Sequence, residues 1–156
     1  MPPHTTARTG LEIDHATHTI RFVRSFDAPV ELVFEAWTEA RHIRCWWDAA
    51  GGPLVVCEVD LKPGGAFRFV SRNHPEMPFA GVYLEIDPPS RLVFEALDST
   101  GSVLFTSSGD KTRITVEIAC RTGEQLAQFL KLGVDTGTSQ TLDNLVAYIQ
   151  RQGVTA

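Results

Sequence analysis

The sequence contains no long apolar run and no concentration of positive charge. Among its 156 residues, no window approaches the roughly 18 apolar residues that a membrane-spanning helix requires. The 14 basic residues are outnumbered by 19 acidic ones, the net charge is −5, and lysine and arginine do not gather on one face. Because nucleic-acid binding needs a basic surface, we expect neither a membrane nor a nucleic acid as a partner.

Cysteine is scarce, and neither cysteine nor histidine has the spacing of a metal site. The three cysteines, Cys45, Cys57 and Cys120, are far apart and include no C-x-x-C pair. No two histidines stand at a ligand interval on one predicted helix. The five are His4, His15, His18, His42 and His74. An odd, scattered set of cysteines indicates reduced thiols, so we expect a cytoplasmic protein without a metal or other cofactor.

A secretion signal and the common catalytic motifs are also missing. The opening "MPPHTTARTG" lacks a basic region followed by an apolar run, unlike a secretion signal. We expect residues 1–10 to form a flexible tail and residues 11–156 to form a single domain around one core. No G-x-S-x-G, P-loop or G-x-G-x-x-G motif is present, and we predict no catalytic residue.

Two short helices are predicted after a first strand. The run "HTIRFVRSF" (18–26) alternates as a strand does, and "DAPVELVFEAWTE" (27–39) places apolar residues at positions 30, 33, 34 and 37, the spacing of one helix face. Asp27 can cap this helix, and Pro29 suits its first turn. The second helix, "EARHIRCWW" (39–47), carries Trp46 and Trp47 and ends before a stretch of alanine and glycine.

Six further segments have the two-residue period of strands. They are "LVVCEVD" (54–60), "GAFRFVS" (65–71), "FAGVYLEID" (79–87), "RLVFEAL" (91–97), "SVLFTS" (102–107) and "TRITVEIAC" (112–120). Segments rich in glycine, proline, aspartate and serine separate them, which indicates turns. Because these connections are short, the strands are predicted to form an antiparallel meander.

The last predicted helix, over about residues 122–150, has two apolar faces instead of one. The apolar residues of its first half, such as Phe129, lie about 140° around the helix from those of its second half, such as Leu145. Gly133 and Gly137 lie between the two halves. The helix bends at these glycines, or breaks into two helices, or contacts the sheet on more than one side.

Strand, two short helices, meander and long terminal helix together describe a helix-grip arrangement. The segments "FDAPVELVFEAWTE", "WW", "DLKPGGAFRF", "GVYLEIDPPSRLVF" and "GVDTGTSQTLDNLVAYI" occur in this order. Over about residues 18–151 the chain thereby resembles the activator of heat-shock-protein ATPase homologue-like family of the START and birch-pollen-allergen-like (SRPBCC) superfamily. The expected fold is α+β: a seven-stranded curved antiparallel sheet wraps a long carboxyl-terminal helix, and two short helices follow strand 1. Many relatives have a tryptophan where this chain has Thr138.

A sheet curved around a helix leaves a cavity, and we expect a small hydrophobic molecule to bind there. Trp46 and Trp47 are predicted at its mouth, with one indole facing the interior. Phenylalanines and a tyrosine would line the cavity, and two glycines would leave room. The predicted ligand-binding residues are Trp46, Trp47, Phe67, Phe69, Tyr83, Phe94, Phe105, Phe129, Gly133 and Gly137.

Two other functions stay open, and a monomer and a homodimer are equally compatible with the sequence. The family name implies a co-chaperone that stimulates a heat-shock-protein ATPase in the stress response. Some members of the wider superfamily resemble polyketide cyclases, so a cyclase or hydrolase using a pocket carboxylate or tyrosine is the third alternative. The candidates are Asp48, Glu85, Glu95 and Tyr83, and alternation in "GVYLEI" (81–86) predicts that Tyr83 and Glu85 share a face.

Overall fold

A computed structural model of the chain describes residues 10–48, 54–72, 75–76 and 78–155. Its elements are, in order, β1 (Leu11–Asp14), β2 (Thr19–Phe26), α1 (Val30–Thr38), α2 (Ala40–Trp46), β3 (Leu54–Val59), β4 (Ala66–Ser71), β5 (Phe79–Asp87), β6 (Arg91–Ala96), β7 (Ser99–Ser108), β8 (Lys111–Ala119), α3 (Gly123–Lys131) and α4 (Val134–Thr155). Residues 1–9 of the predicted tail, the alanine and glycine stretch at 49–52, His4 and His74 lie outside the described residues.

The strands form one antiparallel sheet in the order β1-β2-β8-β7-β6-β5-β4-β3. The predicted α+β helix-grip fold is therefore confirmed, with strand bounds within a few residues of those expected. The count of seven strands was wrong, because β1 adds an eighth by pairing with β2, Leu11 opposite Phe22. Consequently the two short helices follow the second strand. With only four residues, "LEID" is too short to show a clear two-residue period.

Helix α1 forms because its apolar side chains recur at helical spacing. Val30, Val33, Phe34 and Trp37 are all buried, as the spacing predicted. The helix begins slightly later than the sequence suggested. Pro29 is the N-cap residue and no side chain caps the helix, so Asp27 does not have its predicted capping role.

The carboxyl-terminal helix is broken, which decides between the three alternatives. Helix α3 has Leu132 as its C-cap, and the next residue, Gly133, has a φ of 79°. This left-handed conformation terminates helices and favours glycine, because it brings a Cβ against the backbone. The chain changes direction at Gly133, and the two apolar faces become the buried faces of two helices. Gly137 instead lies inside α4.

Candidate functional site

A cluster of largely aromatic side chains surrounds a cavity of about 20 Å³. It lies between the two short helices and strands β4, β5 and β6, at one end of the sheet. Its volume is close to that needed by one water molecule. The lining residues are Trp37, Ile43, Trp46, Trp47, Phe67, Phe69, Phe79, Tyr83 and Phe94. We call this space the aromatic cavity.

The strand pattern of β4 places the centre of the cluster. Phe67 and Phe69 alternate with exposed residues, so both rings point to the same face of the sheet and their centroids are 5.3 Å apart. Phe67 also meets the ring of Tyr83 at 5.1 Å and that of Phe94 at 5.7 Å, the latter edge to face. Such offset and perpendicular contacts are the favoured geometries for aromatic pairs.

Two strand glycines make room for these rings, a signal that the sequence analysis did not use. Gly101 of β7 lies opposite Phe94 of β6, and a Cβ added at Gly101 would lie 2.5 Å from that ring. A Cβ at Gly81 would lie 2.8 Å from the ring of Phe67 and 2.1 Å from the carbonyl oxygen of Glu95. Glycine inside a strand often marks such a close approach.

The two adjacent tryptophans have different environments. Trp46 is 1% exposed, and its indole Nε1 donates a hydrogen bond to the carbonyl oxygen of Ala36 at 3.0 Å. Trp47 is half-buried and meets the rings of Phe69 at 4.9 Å and Phe79 at 5.0 Å. Trp46 is thus part of the core, whereas Trp47 and the half-buried Phe79 form the outer wall of the aromatic cavity.

The polar groups on the cavity wall are few. The Nε1 of Trp37 is buried and has no hydrogen-bond partner among the described residues, and the side chain is 6% exposed. Tyr83 is 3% exposed, and burial raises the pKa of its hydroxyl, which keeps the phenol neutral. Within the part of the chain that the structure describes, none of the side chains that line the aromatic cavity is charged.

Helix α2 is held over the cavity by polar contacts with α4. The Nδ1 of His42 lies 2.6 Å from the hydroxyl of Tyr148, and both side chains are buried. Thr141 donates to the carbonyl oxygen of Trp47 at 3.1 Å, and Asn144 donates to that of Asp48 at 3.1 Å. The first contact holds the beginning of α2, and the other two hold the residues that directly follow its end.

The pKa of His42 is lowered from its ordinary value. Burial is the main cause, because it disfavours the charged imidazolium. The positive charge of Arg41 adds to this effect, while Glu39 and Glu35 oppose it. His42 is therefore neutral near pH 7, as its packing against Tyr148 requires.

Six of the ten predicted site residues line the aromatic cavity, and four lie elsewhere. The six are Trp46, Trp47, Phe67, Phe69, Tyr83 and Phe94. Phe105 lies behind the cavity wall, with its ring 6.4 Å from that of Trp37. Phe129 is a buried residue of α3 itself, Gly133 terminates that helix, and Gly137 lies within α4. The cavity is also lined by three residues that were not predicted from the sequence: Trp37, Ile43 and Phe79.

A β-bulge in β5 overturns the prediction that Tyr83 and Glu85 share a face of the sheet. The register shifts between Tyr83 and Glu85, so Tyr83 points to the core while Glu85 is exposed near Arg91, at 3.5 Å. A bulge inserts one extra residue and reverses the alternation beyond it. Glu95 forms an ion pair with Arg121 at 2.8 Å, in which both side chains are partly exposed. Neither glutamate lines the aromatic cavity.

A second cleft, of about 550 Å³, lies where β2 and β7 end and β8 begins. Gln150 of α4 also lines it. Its lining is mainly hydroxyl-bearing and charged: Ser25, Phe26, Asp27, Thr106, Ser108, Lys111, Thr112, Arg113 and Gln150. One aromatic ring borders it. An apolar molecule would therefore find less complementary surface there than in the aromatic cavity.

Two further features concern membranes and metals. Neither α4 nor any other helix in the described ranges has the apolar length that a membrane crossing requires. Within the same ranges, no three histidine, cysteine, aspartate or glutamate side chains lie together in a way that could hold a metal ion.

Comparison with solved structures identifies the same fold in bacterial proteins. A protein of Nitrosomonas europaea is 24% identical with a TM-score of 0.77, the match covering 88% of this chain and 97% of that one. A protein of Arthrobacter aurescens is 19% identical, with a TM-score of 0.78 and 93% of each chain covered. An AHSA1-like protein of Aeromonas hydrophila is 24% identical, with a TM-score of 0.69 over 85% of this chain and 94% of that one.

The sequence itself also matches a family. No curated protein matches the chain significantly. Residues 27–150, however, match the model of the family described as Activator of Hsp90 ATPase homolog 1-like protein. This range includes both short helices, the last six strands and almost all of α4. Since the match extends over most of the chain, the protein belongs to the Activator of Hsp90 ATPase homolog 1-like family.

Proposed function

We propose that the protein binds a small, largely apolar molecule in the aromatic cavity. Family and fold support a ligand-binding or chaperone-activator role in general. The observation that carries the finer proposal is the wall of the cavity, in which every lining residue except Ile43 is aromatic. A concave, mostly aromatic site with a small number of polar groups is typical of small-molecule binding.

The aromatic cavity has to widen before it accepts such a molecule. Its volume of about 20 Å³ is far below the roughly 300 Å³ at which ligand pockets begin. Trp47, Phe79 and Phe94 are the half-buried members of the wall. The ring of Phe94 packs against Phe67 and against Gly101, so we expect the rings of Trp47 and Phe79 to rotate outward and expose the interior. Trp46 stays in place because it is fully packed and hydrogen-bonded to Ala36.

The family description supports a second candidate, stimulation of a chaperone ATPase. The third alternative, a cyclase or hydrolase, has less support. Glu85 and Glu95 lie near Arg91 and Arg121 away from the cavity, and the raised pKa of Tyr83 makes it a hydrogen-bonding group and not a base near pH 7. Ligand binding, in contrast, needs no acid or base.

The test is a titration of the protein with a sterol, a fatty acid and a phenolic compound, followed by tryptophan emission. We expect at least one probe to change the emission saturably, because it displaces water near Trp47. Native mass spectrometry of freshly purified protein should show a co-purifying small molecule. Unchanged emission with all probes, together with a ligand-free mass spectrum, would contradict the proposal.

A pair of variants locates the binding site. Trp47→Ala should weaken binding by about 1–3 kcal/mol, the range for losing an aromatic contact in a pocket. Leu132→Ala is the control, since Leu132 is 68% exposed at the end of α3, away from the cavity lining. Equal affinities for the two variants would place the binding site elsewhere.

A further inference from the structure

The indole N–H of Trp37 is an unused hydrogen-bond donor inside the protein. The side chain is 6% exposed, and its Nε1 has no partner among the described residues. An indole N–H can only donate, and a buried donor without an acceptor is costly. Trp46, whose ring centroid is 5.0 Å from that of Trp37, shows the usual arrangement by donating to Ala36. The unpaired donor of Trp37 therefore indicates a missing acceptor.

Trp37 lines the aromatic cavity, so the acceptor can come from a bound molecule. The hydroxyl of Tyr83 and the indole N–H of Trp47 belong to the same wall and can also donate, whereas the N–H of Trp46 is already paired with Ala36. The other described lining side chains, one isoleucine and four phenylalanines, have no hydrogen-bonding group. A molecule that fills the cavity thus meets mainly aromatic surface, and Trp37 is the lining residue whose buried donor has no partner among the described residues.

The same wall restricts the charge that a bound ligand can carry. Among the described residues, no lysine, arginine, histidine, aspartate or glutamate lines the aromatic cavity. A carboxylate, phosphate or ammonium group placed there would lose its hydration and gain no ion pair, which is strongly unfavourable. The occupant is therefore uncharged in the part that enters the protein.

Building on the proposed function, we infer that the ligand is an uncharged aromatic molecule carrying an acceptor oxygen, such as a ring ketone, to which the indole N–H of Trp37 donates. The aromatic body contacts the rings of Phe67, Phe69 and Phe94, and the hydroxyl of Tyr83 is available as a second donor. A plain hydrocarbon of the same shape leaves the Trp37 donor unpaired and binds less tightly.

The experiment compares three small probes on one bicyclic frame: 1-indanone, indane and indane-1-carboxylate. The full-length protein is labelled with ¹⁵N on its three tryptophans, so that each indole N–H gives its own NMR signal. The Trp37 signal is assigned by its loss in Trp37→Phe. We expect 1-indanone to bind about tenfold or more tightly than indane, to move the Trp37 signal downfield, and to bind more tightly than the carboxylate.

Variants separate the donor from the ring. Trp37→Phe keeps an aromatic ring and removes the N–H, so the preference for 1-indanone over indane should disappear. Trp46→Phe is the matched control, because its N–H is already paired with Ala36, and the preference should persist. If Trp37→Phe does not fold, the Trp37 signal is assigned by elimination from the spectra of Trp46→Phe and Trp47→Ala, since the chain has three tryptophans.

The outcomes distinguish this inference from the proposed function. If none of the three probes perturbs any indole signal or the protein's thermal stability, this inference is overturned, and the proposed function is then decided by the titration with a sterol, a fatty acid and a phenolic compound. If indane and 1-indanone bind equally, or if 1-indanone binds without moving the Trp37 signal, the cavity binds ligands but the inference about the acceptor is wrong.

Discussion

At the scale of single residues, the rings of the three tryptophans contact one another in series, and the three side chains differ in how deeply they are buried. The ring centroids of Trp37 and Trp46 are 5.0 Å apart, and those of Trp46 and Trp47 are 5.6 Å apart. Trp46 is fully buried, Trp37 nearly so, and Trp47 half-buried. The chain of rings therefore runs from the core to the outer wall of the aromatic cavity, and its members contribute differently to stability.

We predict that Trp46→Ala lowers the free energy of unfolding by about 3–5 kcal/mol, the range for a fully buried aromatic. Trp47→Ala should cost about 1–2 kcal/mol, because less apolar surface of Trp47 is buried. Urea unfolding of both variants measures the difference. Equal losses would show that Trp47 is as much a core residue as its neighbour.

His42 should make stability depend on pH. The folded state lowers the pKa of His42, whereas the unfolded chain binds a proton near the ordinary value of about 6.5. Stability is therefore fully present above that pH and falls as the pH drops below it, where the unfolded state takes up the proton first.

The variant His42→Asn removes this titration and keeps a polar group facing Tyr148. We expect the difference in free energy of unfolding between wild type and variant to shrink from neutral pH to about pH 5. Urea unfolding at the two pH values measures it, and the other titrating groups cancel in the difference. A difference that does not change with pH would contradict the lowered pKa.

At the scale of elements, the break between α3 and α4 depends on one residue. Gly133 has a φ of 79°, so Gly133→Ala should destabilise the protein by about 1–2 kcal/mol. Gly137→Ala is the matched control: Gly137 lies inside α4 and a Cβ there meets nothing within 4 Å. It should stabilise the protein by about 0.5–1 kcal/mol. Thermal or urea unfolding tests both, and shifts of the same sign would contradict the assignment.

The elements themselves were largely predictable, because each follows from a periodic pattern. The spacing of Val30, Phe34 and Trp37 identified α1, and two-residue alternation identified seven of the eight strands. The mismatch of apolar faces in the last helix left three alternatives open, and one of them, a break into two helices, is what the structure shows. Strand β1 was missed because its four residues carry no resolvable period. The bulge after Tyr83 was missed because the run "GVYLEI" continues to alternate through Leu84, so nothing in it marks an inserted residue.

The candidate site was less predictable than the fold. The aromatic composition of β4 and the "WW" pair correctly indicated a cluster, and six predicted residues meet there. The sequence could not show that the cavity lies under α1 and α2 and away from α4, since this depends on how distant elements pack. It also could not distinguish the paired indole of Trp46 from the unpaired indole of Trp37, because Ala36 contributes only a backbone carbonyl.

At the scale of the whole molecule, Arg24 joins three separate parts of the chain. From β2 its guanidinium donates to the carbonyl oxygen of Gly10 at 3.0 Å, to the side chain of Ser139 at 2.7 Å and to Asp143 at 3.0 Å. The side chain is only 12% exposed. The start of β1 and the middle of α4 are thereby held to the same strand.

Replacing Arg24 should therefore loosen α4 from the sheet. Arg24→Lys keeps the charge but has a single ammonium group that cannot reach all three partners, and we expect a loss of about 1–3 kcal/mol in the free energy of unfolding. Arg113→Lys, at an exposed position on β8, should stay within about 0.5 kcal/mol of wild type. Urea unfolding provides the comparison. Similar values for both variants would show that the Arg24 contacts do not stabilise the fold.

The strand order also has a consequence for protein synthesis. Strand β2 has β1 on one side and β8 on the other, with Phe22 opposite Val116. On the ribosome β2 emerges long before β8, so the first hairpin waits with an unpaired edge and uncovered apolar side chains such as Ile20 while most of the chain is still being translated. A chaperone that binds exposed strands would act on this nascent hairpin, and slow translation between β2 and β8 would lengthen the interval in which it can aggregate.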